Sequence, residues 1–156
     1  MSQTHSRTNK DSLCACLENF LSESGMNYAR SIRNNQKDTV FNIILSSPEE
    51  DLFDQRILIY VNDDQLYLEA PVCIISCDNT DLAVLVNTLN NRYAIGAFQY
   101  SPRKGLACFA HYVAAQHGAW PGNKAVCEAI SLAQRMSSVL YHEMLSDGFQ
   151  SPTIDS

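Results

Sequence analysis

Residues 81–113 set the tightest limits on what this chain can fold into. Leu82, Leu85, Val86 and Leu89 recur at i, i+3, i+4 and i+7, which lines one side of a 3.6-residue helix. A stripe of that kind must lie on something apolar. The helix is expected to end at Asn90 and Asn91, residue types that tolerate left-handed backbone. Residues 95–100 then continue as a run rich in β-formers. Ser101, Pro102 and Gly105 punctuate it, because Pro presets φ for a turn and Gly supplies positive φ. The chain therefore reverses and returns over 106–113, giving a helix followed directly by a hairpin.

The flanking segments supply what this unit packs on. Asp11 or Ser12 can cap a helix whose Leu13, Leu17, Phe20 and Leu21 share a face and which ends at Gly25. In residues 39–46, Phe41, Ile43 and Leu45 alternate with Val40, Asn42 and Ile44, as a strand requires. Residues 56–61 and 66–73 read as a hairpin around Asn62 to Gln65, with Leu66, Leu68 and Ala70 opposite Tyr67 and Glu69. Pro121 to Asn123 opens a long helix to Ser146 with the stripe Val126, Ile130, Ala133, Met136, Leu140 and Met144. The predicted order is α-β-β-β-α-β-β-α. The fold class is α+β: a mostly antiparallel sheet of about five strands flanked by three helices. Residues 1–11 and 149–156 read as polar tails around a single domain over 12–148.

Charge narrows the function. A net charge of −6 and a pI near 5.0 argue against nucleic acid, whose affinity rests on concentrated Lys and Arg. The longest apolar runs are strand-sized, so no membrane span is expected. Residues 1–12 lack the apolar centre of a secretory signal, so the expected compartment is the cytoplasm, where the six cysteines stay reduced.

No motif of reaction chemistry emerges. Cys14 and Cys16 sit two apart on a predicted helix and point in different directions, and no Cys-x-x-Cys occurs. Cys108 and His111 lie three apart on a strand and face opposite sides. His142 with Glu143 begins a zinc-helix pattern, but Ser146 stands where its second His belongs. Neither phosphate-loop pattern is present, and Glu49, Glu50, Asp51 and Asp54 lack EF-hand spacing. The expectation is no enzyme, no metal and no cofactor. The alternatives are a small enzyme whose Cys73, Cys77, His111 or His117 meet only in three dimensions, and a small-ligand-binding domain.

The run LNNRYAIGAFQYSPRKGLACF resembles the signature of YbjN-type proteins, bacterial sensory transduction regulators, with Leu89, Asn90, Gly96 and Phe98 at its marked positions. The resemblance spans about residues 12–148. That family is similar in fold to the class I type III secretion chaperones, which implies a small, acidic, dimeric, non-enzymatic protein that holds segments of other proteins.

The helix over 81–91 adds its own argument for a homodimer. Leu82 to Asn91 contains no charged residue, although a helix on a single sheet should show a solvated face rich in Lys and Glu. Val84, Asn87, Thr88 and Asn91 line up opposite the buried stripe. A two-fold axis makes a patch meet its own copy, so charge there would repel itself. The expected function is a cytoplasmic protein-binding module, an adaptor, chaperone or regulator, with a protein or peptide partner held partly by strand addition at a sheet edge.

Overall fold

The computed structural model describes residues 9–33, 38–45, 55–74, 80–101 and 106–146. The elements are α1 (Asn9–Glu23), β1 (Asn27–Arg33), β2 (Asp38–Leu45), β3 (Gln55–Val61), β4 (Gln65–Ile74), α2 (Thr80–Arg92), β5 (Ala97–Ser101), β6 (Leu106–Ala114) and α3 (Asn123–Ser146), with a short 3₁₀ turn at Gln116–Gly118. The strands form one antiparallel sheet in the order β1-β2-β3-β4-β6-β5. The class is α+β as expected, with six strands instead of five.

The added strand is β1. Its sequence NYARSIR places Arg30 between Tyr28 and Ile32, which breaks the apolar alternation, and Ala29 and Ser31 are weak strand formers. It pairs with β2 through Tyr28↔Ile43, Arg30↔Phe41 and Ile32↔Thr39. In the other strands the alternation of apolar residues sets which side chains face the core. Phe41, Ile43, Ile57, Ile59, Leu66, Leu68 and Phe109 are buried in one cluster with the stripes of all three helices. The helices therefore cover one sheet face. Each such side chain contributes about 1.5–3 kcal/mol when fully buried.

Two helix ends have identifiable causes. After α1, Gly25 has φ +70°, its N–H donates to the Ser22 carbonyl at 3.2 Å and the Met26 N–H to that of Leu21 at 3.0 Å, the Schellman pattern. The start of α1 lies at Asn9, ahead of Asp11 and Ser12, so residues 9–11 belong to the helix. Asp63, in the β3–β4 turn, accepts from the Lys10 N–H at 3.0 Å. A carboxylate from a distant turn thus satisfies a donor that the first helical turn cannot. Residues 1–8, 147–156 and 102–105, where the sequence predicts a turn, lie outside the described residues, although Ser101↔Leu106 pairing makes β5 and β6 antiparallel neighbours. Among the described residues no helix is long and apolar enough to cross a membrane.

Candidate functional site

The outward side of α2 is built as its sequence suggests. Leu82, Leu85, Val86 and Leu89 are buried against the sheet and α3, while Val84, Asn87, Thr88 and Asn91 are exposed together. Val84 is 60% exposed, and Ile95, just past the helix, is 58% exposed. The Thr88 hydroxyl donates to the Val84 carbonyl at 2.9 Å, so this donor is already satisfied within the helix. Arg92 closes the helix with a 3.2 Å ion pair to Glu143 of α3, and that hydrogen bond raises the Arg92 pKa. The face offers uncharged surface that includes the exposed branched side chain of Val84.

The signature residues form a clamp on β5. Leu89 is fully buried and Phe98 nearly so. Asn90 is not in left-handed backbone: α2 continues to Arg92, and the positive φ falls at Gly96, +76°. The Asn90 amide acts through its side chain instead. Its Oδ1 accepts from the Phe98 N–H at 2.6 Å and its Nδ2 donates to the Phe98 carbonyl at 2.7 Å. A side-chain amide thereby takes the place of a neighbouring strand at one residue of the β5 edge. A Cβ at Gly96 would lie 2.7 Å from Phe109 Cε1 and 2.9 Å from the Ala110 carbonyl oxygen, so only glycine fits this approach.

At the opposite edge, β1 is tied to α1 from the helix side. Arg30 Nη1 meets Glu18 Oε2 at 3.0 Å, and its guanidinium lies 5.6 Å over the Phe41 ring. The Tyr28 hydroxyl donates to Glu18 Oε1 at 3.3 Å. Among the described residues no strand pairs with the outer side of β1.

The sheet face away from the helices carries an unforeseen tyrosine row. Tyr60 and Tyr67 stand opposite each other across β3 and β4, and Tyr67 and Tyr112 across β4 and β6. Their ring centroids are 5.7 and 4.6 Å apart. Burial, followed by the Glu69 charge, pushes the Tyr67 pKa well up, and its hydroxyl donates to Glu69 at 3.2 Å. Asn42 Oδ1 and Arg56 Nε are buried on this face without hydrogen-bond partners. The sequence signal was present, since all three tyrosines occupy the alternate set opposite the core residues.

The dispersed titratable groups do not converge. Cys108 pairs across the sheet with Pro71 and Gln99, and His111 with Leu68, on opposite faces. Burial raises the Cys14 pKa, which keeps it a thiol. His117 lies in the 3₁₀ turn with φ 55°. His142 is exposed on α3. Cys77, the Cys73 side chain and the acidic residues 49–54 lie outside the described residues. Among the described residues, no group of three or more His, Cys, Asp or Glu could hold a metal ion, and Cys14, Cys16, Cys108 and Cys127 form no disulfide. No family model matches the chain, and no curated protein matches it in sequence.

Proposed function

We propose that this protein is a cytoplasmic, non-enzymatic protein-binding module of the adaptor, chaperone or regulator kind, acting as a homodimer through the outward face of α2. The carrying observation is that face: Val84, Asn87, Thr88 and Asn91 exposed on one side of a helix that has no charged residue from Leu82 to Asn91. Solvated helix faces are normally charged, whereas a self-complementary patch on a two-fold axis excludes like charge. The resemblance of residues 89–109 to YbjN-type proteins supports the same reading. A partner segment is held by the remaining surfaces, with strand addition at a free sheet edge as the mode.

Light scattering coupled to gel filtration tests the dimer. The wild type should have the mass of two chains, and Val84→Arg that of one chain with an unchanged circular dichroism spectrum. A wild-type mass of one chain, or a dimer indifferent to the arginine, overturns the reading.

A further inference from the structure

The two edges of the sheet are chemically unequal, and the inequality says what kind of segment the module takes. An edge strand presents alternate N–H and C=O groups outward, a template for another extended chain. On β5 the outward groups of Phe98 are both taken by Asn90, at 2.6 and 2.7 Å, and α2 packs beside the strand. On β1, among the described residues, no strand takes that place.

Resting on the protein-binding reading above, we infer that β1 is the docking edge and that it selects an extended segment with an acidic residue flanked two positions away on each side by apolar ones. The pattern follows from the residues of β1. Tyr28, Arg30 and Ile32 share the helix-side face, because they stand opposite Ile43, Phe41 and Thr39. An added strand sets its own alternate residues beside these three. Ile32 is 57% exposed and gains from an apolar neighbour, as does the ring of Tyr28. Between them Arg30 calls for a carboxylate. Its Nη1 holds Glu18, but a guanidinium has five donors in a planar fork and accommodates a second acceptor. Charge complementarity points the same way: in a chain of net charge −6, the helix-side face of β1 contains Arg30 and no acidic residue. The described side chains of the other face, Asn27, Ala29 and Ser31, are small and impose little beyond size. A second copy of β1 fits poorly. In the antiparallel register that sets Tyr28 beside Ile32, Arg30 meets its own copy, and like charges directly opposite are destabilising.

The test uses the full-length, isotopically labelled protein and three heptapeptides followed by amide chemical shifts. The first is Thr-Val-Ser-Glu-Ser-Val-Thr, the second has Lys for Glu, and the third is the first with alternate backbone amides methylated. The Glu peptide should shift the amides of residues 27–33 and bind about tenfold tighter than the Lys peptide, the scale of exchanging an opposite for a like cross-strand charge. The methylated peptide should lose binding. Arg30→Glu should reverse the preference, and Arg30→Gln, which cannot repel Glu18, should abolish it. Equal affinity of the Glu and Lys peptides at β1 overturns the acidic selection and leaves the protein-binding reading standing. Shifts confined to residues outside β1, or no binding at millimolar peptide, overturn the docking edge. Amides of β1 already protected in the peptide-free dimer also overturn it, because a second copy then occupies the edge. The dimer itself is judged separately by light scattering, so the failure of either reading is visible alone.

Discussion

The β5 and β1 edges solve the same problem in opposite ways. Any sheet edge presents unpaired main-chain groups that invite association, and proteins blunt edges with covering elements or charge. At β5 the covering is structural. α2 packs beside the strand, the Asn90 amide takes both outward groups of Phe98, and Gly96 brings the chain in against Phe109. At β1 the blunting is by charge. Arg30 sits at the strand centre, held by Glu18 at 3.0 Å, and charge discourages self-association while leaving the main chain available. A side-chain amide occupies the β5 edge at Phe98 whatever the partner, whereas an arginine closes an edge only to partners of the wrong sign.

The strongest way to break this contrast is at Gly96. Gly96→Ala places a methyl group against the fully buried Phe109 ring and forces a side chain into backbone with φ +76°. Overpacking and positive φ together should destabilise by about 2–4 kcal/mol, read as a lowered urea midpoint with an unchanged slope. A midpoint equal to that of wild type would mean that β5 can be held without the close approach. Asn90→Ala comes next. It removes two hydrogen bonds and leaves the Phe98 groups unpaired, which should cost about 1–3 kcal/mol. Hydrogen exchange at the Phe98 amide should accelerate at the same time. Stability and exchange that stay at wild-type values would show that this side chain does not close the edge.

The outward face of α2 sharpens the comparison, because the helix that covers β5 inside is proposed to cover a second copy outside. Thr88→Arg should dissociate the dimer as Val84→Arg does, with the fold of the monomer changed by no more than about 0.5 kcal/mol, the usual scale for exposed positions. A dimer that survives Thr88→Arg while yielding to Val84→Arg would shift the contact toward the N-terminal half of the helix.

What was legible in the sequence follows the strength of the local period. The α3 stripe of Val126, Ile130, Ala133, Met136, Leu140 and Met144 is buried throughout, because six apolar positions at helical spacing leave one orientation that avoids water. β1 escaped because its inward set is interrupted by Arg30, whose charge is held by Glu18 from α1, a tertiary contact with no local signature. The start of α1 escaped for a related reason, since Asp63 lies 53 residues from the Lys10 N–H it accepts. Asn90 shows a subtler limit. Its position near a helix end suggested left-handed backbone, but the side chain bonds Phe98, eight residues on. The exposed, uncharged side of α2 could be read early because four outward residues without charge form a pattern in the sequence itself. The unequal edges could not, since which strands are terminal is decided by the sheet order.

The smallest effect concerns a proton in the closed half of the sheet. His111 lies on β6, opposite Leu68 on the helix side, with its ring 6.5 Å from that of Phe109. Burial lowers its pKa from the ordinary 6.5. The sign follows from proton counting. Between the lowered folded value and 6.5 the unfolded chain binds the proton more readily, so stability falls as pH drops through that window and is unaffected above it. β1 and β2 contain no histidine. Protection of the β5 and β6 amides, corrected for intrinsic exchange, should therefore fall relative to that of β1 and β2 between pH 7.5 and 5.5. His111→Gln should remove most of this difference, because glutamine fills similar space and does not titrate. If both halves lose protection equally in the wild type, or if the variant keeps the difference, acid acts elsewhere and the closed edge owes nothing to a neutral imidazole.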